Sequence, residues 1–307
     1  MYYPYLRGKQ FELLALREFS KKYKDSKSIC PIIEPVKLQL NGLRMAIDVM
    51  TQSGLRFALV LNPGEGDFKR NKVNFLKELP QLGETLERWI PAYIYRNNTD
   101  EILDAVSSAN QEEVMVVFPT KISWNNEDVV RLLSDERVGF IVGDFAAGKI
   151  KKLTPQGKNL IKLDDAFNEK ARNTDYAQEP DEFFTEMFLD YADEGFAGFS
   201  DYTTLPSSYK ESGMLPFAVA IHLTYRNEGQ EVNIHHFVSD TNDDRSNIQG
   251  KFAEANNKLC EFFKDHPHTS AVEAFYNYRE EGRYPGLGVL KKLSIKNHLE
   301  LMNRILD

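Results

Sequence analysis

Short runs of β-branched and aromatic residues recur along the chain, and each run ends at a polar or turn-forming residue. Eight of them are predicted strands, at residues 28–36, 57–64, 89–97, 114–121, 138–144, 159–165, 196–202 and 217–225. Most are followed by a stretch with apolar residues at helical spacing and with Asp, Asn or Thr near its start. Strands and helices that alternate in this way are typical of βα units, which place the strands parallel in one sheet.

The count and spacing of these units predict an α/β fold, a closed (β/α)8 TIM-like barrel. The alternative is an open doubly wound sheet, but no glycine fingerprint for a dinucleotide follows the first strand. Residues 145–157 lack a clear helical pattern and are predicted to form a loop or a single helical turn. Residues 203–215 are equally weak as a helix. Residues 217–240 have the pattern strand, turn, strand, which predicts a hairpin appended at strand eight.

No internal repeat or linker divides the chain, so we expect one barrel domain over residues 1–307. Its predicted parts are an N-terminal segment with a helix at 1–25, the barrel at 28–225, and the hairpin with C-terminal helices at 226–307.

The formal net charge of −8 argues against a dominant nucleic-acid-binding surface, because binding phosphates requires a basic patch. Cys30 and Cys260 are far apart and have no C-x-x-C spacing, so neither a disulfide framework nor a structural zinc site is indicated. No apolar run approaches the roughly 20 residues that cross a bilayer, and the N-terminus lacks the apolar core of a signal peptide. The sequence therefore predicts a cytoplasmic protein without membrane contact.

Sites of this barrel class lie at the carboxyl ends of the strands. Polar side chains stand at nearly every predicted strand end: Glu34, Asn62, Arg96, Lys121, Asp144, Asp164, Asp165, Asp201, His222 and Tyr225. Loops are polar in any fold, so the set is more informative than any one member.

Side-chain alternation gives two of these strands an expected orientation. In 159–165, Ile161 and Leu163 can face the helices, which turns Lys162 into the barrel interior. A buried ammonium needs a carboxylate partner, and Asp144 or Asp164 could supply it. The pair could equally be a purely structural one. In 217–225 the same alternation places His222 in the interior, near its upper end.

Two kinds of chemistry fit these candidates. Four carboxylates with one histidine could bind Mg²⁺ or Mn²⁺, or could act as acid and base without a metal: Glu34, Asp144, Asp164, Asp201 and His222. No catalytic motif chooses between the two, so the metal remains unknown. Lys162 joins the catalytic candidates. Cations near the same end could bind a phosphate or carboxylate group: Arg7, Lys9, Arg96 and Lys121.

The opening stretch "YPYLRGKQFELLALREF" at residues 2–18 combines a polar, glycine-broken start with a helical pattern. A helix before strand one runs antiparallel to the strands, so its start should lie at the mouth of the barrel. Gly8 permits a sharp turn there, and Arg7 and Lys9 could then form an anion site. The alternative is an N-terminal plug, with Arg7 paired to Glu12 or Glu34.

Six short stretches resemble the "beta protein" family of bacterial and phage proteins: "YPYLRGKQFELLALRE", "PIIEPV", "LNPG", "GFSDY", "AIHLTY" and "HFVSD". They occur in the expected order from residue 2 to about residue 240. The family has no established activity to carry over. Its members are similar to components of phage-defence and mobile-element neighbourhoods, which implies a restriction-type, nuclease-like protein as a partner.

These observations predict a hydrolase or lyase that acts on a phosphate-bearing or otherwise anionic substrate, such as a small molecule or nucleotide. Asn62, Asp201 and Tyr225 would help to bind it. The alternative is a non-catalytic interaction or regulatory partner of the nuclease-like neighbour. A third hypothesis, direct nucleic-acid binding, is weaker because the chain carries a net negative charge. It would use the interleaved aromatic and basic residues of one of two stretches: Tyr2, Tyr3 and Tyr5 with Arg7 and Lys9, or "AYIYRNN" at 92–98.

Overall fold

The computed structural model describes residues 1–211 and 215–307, with the backbone alone for 84–87. The chain forms two compact units. Unit 1 comprises Met1–Lys9, Ser20–Asp164 and Met187–Asp201. Unit 2 comprises Gln10–Phe19, Asp165–Glu186 and Tyr202–Asp307. Neither unit is a continuous segment, and a single domain over residues 1–307 stays a prediction.

The strands, in chain order, are β1 (Tyr5–Leu6), β2 (Ile32–Ile33), β3 (Phe57–Val60), β4 (Trp89–Ile94), β5 (Val114–Phe118), β6 (Val138–Gly143), β7 (Asn159–Leu163), β8 (Asp181–Thr185), β9 (Gly198–Ser200), β10 (Ala220–Arg226) and β11 (Val232–Val238). The α-helices are α1 (Gln10–Lys22), α2 (Asn41–Gln52), α3 (Phe75–Glu78), α4 (Thr99–Ser108), α5 (Glu127–Ser134), α6 (Ala147–Ile150), α7 (Met187–Asp190), α8 (Ile248–Phe262), α9 (Ser270–Glu280) and α10 (Leu287–Leu306). No helix in the described part of the chain is both long and apolar enough to cross a membrane.

Unit 1 is a nearly closed barrel of eight parallel strands, in the order β1 to β7 and then β9. Tyr2 closes the ring, because it forms parallel bridges to Ile29 beside β2 and to Phe199 in β9. The N–H of Tyr3 donates to the carbonyl of Phe199 at 2.8 Å, and the N–H of Tyr5 donates to that of Asp201 at 2.8 Å. The predicted (β/α)8 barrel is thereby confirmed.

The barrel includes one strand that the sequence pattern did not predict. β1 comes from the segment expected to lead into a helix, and it takes the place assigned to residues 217–225. Those residues form β10, which pairs antiparallel with β11 in a separate three-stranded sheet of order β10, β11, β8. Alternation of apolar residues every second position suits parallel and antiparallel strands alike, so it could not choose between the two sheets. The hairpin predicted at 217–240 is confirmed.

One helical prediction differs from the structure. The pattern at 73–89 predicts one long helix, but the chain forms the single turn α3 and then a 3-10 helix at Pro80–Arg88. The loop or single helical turn predicted at 145–157 is confirmed, because it contains the single turn α6. The predicted loop at 203–215 has no helix or strand among its described residues, and 212–214 lie outside the described part.

The two faces of the barrel strands can be assigned from their contacts. The rings of Tyr3 and Phe140 have centroids 6.5 Å apart, although β1 and β6 are not neighbours, so they meet across the interior. Tyr5 follows Tyr3 by two positions and shares that interior face. Leu160 of β7 belongs instead to the core formed with α4, α5 and α6, so it faces the helices.

Unit 2 contains the three-stranded sheet and the long helices. Val219, Ile221 and Leu223 along the first strand of the hairpin pack in one core with α8, α9 and α10. The carboxylate of Glu18 in α1 accepts hydrogen bonds from Lys292 and Lys296 of α10. These two bonds join the first and last helices of the chain.

Candidate functional site

A group of side chains at the carboxyl ends of β1 to β4, which we call the mouth cluster, contains Tyr5, Glu34, Asn62, Gly64 and Arg96. Glu34 is 3% exposed, and the hydroxyl of Tyr5 donates to its Oε2 at 2.8 Å. The backbone N–H of Gly64 donates to Oε1 at 3.3 Å. A guanidinium nitrogen of Arg96 lies 3.4 Å from the same oxygen. The buried charge of Glu34 is therefore compensated by a cation and by two further donors.

Arg96 is held by two contacts and remains partly open to solvent. Its Nη1 donates to the carbonyl of Asn62 at 2.8 Å, and its Nη2 contacts Glu34. Its side chain is nevertheless 41% exposed. An arginine that is fixed on one side presents its other N–H groups in a set geometry, which suits a carboxylate or phosphate.

Gly64 allows this position of Arg96. A Cβ on Gly64 would lie 2.7 Å from the guanidinium carbon, closer than any packed contact. The glycine is required because the guanidinium passes directly over it. The stretch "LNPG" contained this signal, since a glycine just after a strand end often marks a close approach. Gly64 was not among the predicted site residues, and Tyr5 was predicted only to stack on nucleic acid.

Asn62 has a structural role in the mouth cluster. Its amide nitrogen donates to the carbonyl of Ile94 at 2.9 Å, and its Oδ1 accepts the N–H of Ile94 at 2.7 Å. This pair of bonds extends the ladder between β3 and β4 by one step. Asn62 lies where it was predicted, and its side chain positions the end of β4 from which Arg96 projects.

A second group lies at the ends of β5, β6 and β7. Nζ of Lys162 donates to Oδ1 of Asp144 at 2.9 Å, which confirms one of the two expected partners of this lysine. Nζ of Lys121 lies 3.9 Å from the other oxygen of Asp144. Asp144 is about half exposed and the side chain of Lys121 is 89% exposed, so screening by solvent weakens both ion pairs.

The predicted orientation of Lys162 was wrong. Lys162 shares a strand face with Leu160, which packs among the helices, and its Nζ lies 6.0 Å from the ring centre of Phe196 in the same layer. Strands of a parallel sheet are covered on both faces, so both faces are apolar. Alternation in "NLIKLDD" therefore could not show which face was the interior.

Asp201 and Asp164 are placed at the expected ends of their strands. Asp201 is 2% exposed and accepts a hydrogen bond from the hydroxyl of Tyr2, whose ring stacks on Phe199. Burial raises the pKa of Tyr2 well above its ordinary value, and the charge of Asp201 adds to this effect. Because Tyr2 and Tyr3 alternate, the pair with Asp201 lies on the face opposite the interior. The backbone N–H of Asp164 donates to the carbonyl of Ser200 at 2.9 Å.

His222 and Tyr225 lie in β10 of the three-stranded sheet in unit 2, so their predicted place at the end of a barrel strand was wrong. Asp165 follows the end of β7, as predicted, although it is grouped with unit 2. Nδ1 of His222 lies 2.7 Å from Nδ1 of His236 on the neighbouring strand. Tyr225 donates to Oδ2 of Asp181 at 2.8 Å. Oδ1 of Asp165 accepts the backbone N–H of Ser207 at 3.3 Å.

Burial shifts the pKa of His222, His236 and Tyr225. It lowers the pKa of His222 well below its ordinary value and that of His236 to about 4, with the neighbouring histidine charges adding to the effect. It raises the pKa of Tyr225, and the bond to Asp181 raises it further. Both imidazoles are thus neutral at pH 7, and the Nδ1–H of one donates a hydrogen bond to Nδ1 of the other.

Arg7 and Lys9 follow β1 at the same end of the barrel as Glu34, as the sequence predicted. Gly8 between them has a φ of +53°, the left-handed turn expected there. The guanidinium of Arg7 lies 5.8 Å from the ring centre of Tyr5. Their function in binding an anion stays a prediction.

The idea that the N-terminal tyrosines stack on nucleic acid was wrong. Tyr2, Tyr3 and Tyr5 are 0%, 4% and 2% exposed, because they belong to the strand that closes the barrel.

No group of three or more His, Cys, Asp or Glu side chains among the described residues is arranged to hold a metal ion. The hard-cation site expected from Glu34, Asp144, Asp164, Asp201 and His222 is not assembled there. Asp201 and Glu34 lie on opposite faces of the barrel wall, and His222 lies in another sheet.

We found no family model that matches the chain and no curated protein that is similar to it. Among solved structures, FabK from Thermotoga maritima matches with 12% identity over 99% of this chain and 90% of that chain, at a TM-score of 0.38. This likeness is too distant to inform function. The resemblance to the "beta protein" family stays a prediction.

Proposed function

We propose that the chain is a barrel enzyme of the hydrolase or lyase type, which acts on a phosphate-bearing or otherwise anionic substrate at the carboxyl ends of its strands. The observation that carries this proposal is the held, half-exposed guanidinium of Arg96 beside the buried carboxylate of Glu34. A fixed cation next to a carboxylate combines anion binding with a group that transfers protons.

Each residue of the mouth cluster has a distinct role in this proposal. Arg96 binds the anionic group, and Arg7 and Lys9 add positive charge after β1. Glu34 exchanges a proton with the substrate or with a water molecule, while Tyr5 holds one of its oxygens. Asp144 and Lys162 are a second pair of opposite charge at the same end of the barrel, available for a larger substrate.

Anion binding is tested with a matched pair of variants at the two ends of β4. Arg96→Gln removes a charge at the carboxyl end, and Arg88→Gln removes one just before the strand, where Arg88 is exposed. In calorimetric titration with inorganic phosphate and with sulfate, we expect Arg96→Gln to weaken binding about 10-fold or more, the value of a charged hydrogen bond. Arg88→Gln should stay within about 2-fold. Equal effects of the two variants would contradict the proposed anion site.

Catalysis is tested by Glu34→Gln, which keeps the size of the side chain and removes its charge. The rate of hydrolysis of a panel of phosphomonoesters and phosphodiesters, measured as release of the alcohol, should fall about 100-fold or more, the usual contribution of acid–base catalysis. The phosphate affinity should change much less. If the wild-type chain and Glu34→Gln behave alike while both bind a nuclease-like neighbour, the alternative of a non-catalytic partner is correct.

A further inference from the structure

Unit 2 contains a cavity that is separate from the mouth cluster in the chain and in its chemistry. It lies between the start of α8, the end of α9 and the turn at residues 281–286, and its volume is about 380 Å³. Its described lining residues include three aromatic rings, four carboxamides and two arginines, but no carboxylate. Cavities of 300 to 1,000 Å³ with this mixture of apolar and directed polar groups are typical of small-molecule sites.

Three aromatic rings line the cavity. Phe252 is 3% exposed, and the ring of Tyr284 lies 5.5 Å from it at 44°. The ring of Tyr278 lies 6.5 Å from Phe252 at 74°. Aromatic rings in the lining of a cavity offer apolar surface to a planar ring, which is the way that proteins hold nucleobases without reading their sequence.

The carboxamides provide hydrogen-bonding groups next to these rings. Asn247 has a left-handed backbone, with φ of 47°, and its Oδ1 accepts the N–H of Gly250 at 3.1 Å. Its NH₂ group lies close over Gly250 of the same helix cap, so a side chain on residue 250 would collide with it. Asn256 is 1% exposed and is fixed by its bond to the carbonyl of Phe275. A carboxamide both donates and accepts, so this rim matches the edge of a purine or pyrimidine.

Two arginines line the cavity, and each is paired with a glutamate outside the lining. Arg279 contacts Glu261 through Nη2 at 3.0 Å. Arg283 contacts Glu281 through Nε at 2.8 Å, and its guanidinium lies 4.9 Å from the ring centre of Tyr278. No described residue engages the two terminal nitrogens of Arg283. They form the fork that binds a phosphate group with two hydrogen bonds.

From these contacts we infer that this cavity binds a nucleoside monophosphate, with its base on the rings of Phe252 and Tyr284 and its phosphate on Arg283. The rings account for a planar base, the carboxamides for its polar edge, and the arginines for the anion. The inference is independent of the function proposed for the mouth cluster.

The test is calorimetric titration of the full chain with AMP, adenosine and inorganic phosphate. AMP should bind more tightly than either fragment. Arg283→Gln should weaken AMP binding about 10-fold or more, since it removes the two-pronged phosphate contact. The matched control is Arg304→Gln. Arg304 is an exposed residue of α10, about 25 Å along the helix from Leu287, and its Nη1 donates to the carbonyl of His268. This control should stay within about 2-fold.

Tyr284→Ala separates base recognition from phosphate recognition. It should lower the affinity for AMP toward that for inorganic phosphate and leave phosphate binding within about 2-fold. Thermal unfolding of each variant shows that it is folded. Equal affinities of the wild-type chain for AMP and phosphate, or equal effects of Arg283→Gln and Arg304→Gln, would overturn the inference. So would tighter binding of a single-stranded pentanucleotide, which would indicate a nucleic-acid site.

The anion site around Arg96 could also bind the phosphate of AMP, so every titration is repeated with Arg96→Gln. AMP binding that survives this change and is lost in Arg283→Gln supports the cavity in unit 2. Binding that is lost in Arg96→Gln and kept in Arg283→Gln overturns it, while leaving the proposed function intact.

Discussion

At the scale of single residues, the mouth cluster depends on a glycine that has no chemistry of its own. Arg96 can reach Glu34 only because residue 64 has no side chain, and Asn62 fixes the strand end from which Arg96 projects. The polar residues of the cluster were recognisable in the sequence as strand ends. Their mutual contacts were not, because a contact between the ends of β2 and β4 depends on which strands are neighbours.

Gly64→Ala should therefore weaken anion binding nearly as much as Arg96→Gln. The new methyl group overlaps the guanidinium, and the flexible arginine moves away at little cost in stability. We expect phosphate affinity to fall about 10-fold and the urea midpoint to stay nearly unchanged. Gly148→Ala is the control, because a Cβ on Gly148 meets nothing within 4 Å. An unchanged phosphate affinity in Gly64→Ala would show that Arg96 does not bind the anion from this position.

The histidine pair should make folding stability depend on pH. His236 has a folded pKa of about 4, below its unfolded value of about 6.5. Below pH 6.5 the unfolded chain binds a proton that the folded chain does not, so stability falls as the pH falls from about 6.5 to 4. For His236 the full loss is about 3 kcal/mol, at 1.36 kcal/mol for each pH unit.

Urea denaturation between pH 4 and pH 7 measures this loss. The double variant His222→Gln, His236→Gln should show a clearly shallower decline than the wild-type chain. His268→Gln, which lies outside the pair, should keep the wild-type slope. A double variant with an unchanged slope would assign the pH dependence to other groups.

At the scale of elements, the N-terminal strand decides how the barrel closes. β1 lies between β2 and β9. The N-terminal segment passes so close to Gly198 of β9 that a Cβ on this residue would lie 2.6 Å from the carbonyl oxygen of Met1 and 2.6 Å from the ring of Tyr3. The sequence predicted that residues 2–9 reach the mouth of the barrel. It did not predict a strand, because two paired residues flanked by proline and glycine are too short for a periodic pattern.

Gly198→Ala should consequently destabilise the barrel by about 1–3 kcal/mol, the typical cost of overpacking. The methyl group meets backbone on one side, which cannot turn away as a flexible side chain can. Urea denaturation measures the change, with Gly148→Ala again as the control. A variant as stable as the wild-type chain would show that β1 is not held at this seam.

At the scale of the whole molecule, the chain leaves and re-enters each unit, so neither unit corresponds to a segment that could be cut out. Residues 202–307 contain α8, α9 and α10 with two strands of the sheet. They lack β8, which pairs with β11, and they lack Glu18, which receives Lys292 and Lys296.

The fragment 202–307 should therefore fail to fold on its own. It leaves one edge of β11 unpaired, and unpaired edges favour aggregation. Circular dichroism and proteolysis of the isolated fragment, compared with the full chain, measure this. A stable, protease-resistant fragment would show that the separated segments of unit 2 are dispensable.

The sequence by itself determined the class of fold and the residue types at the strand ends. Runs of β-branched residues that alternate with helical patterns require parallel strands with helices between them, and this depends only on local periodicity. The sequence also predicted a carboxylate partner for Lys162, and Asp144 is that partner, although the burial in the barrel interior from which it was argued was wrong.

Only the tertiary structure decided which strand closes the barrel, which face of β7 is the interior and that His222 meets His236. Each of these depends on contacts between residues far apart in the chain. A period of two or of 3.6 residues describes how one element presents its faces, and it contains no information on which other element will cover them.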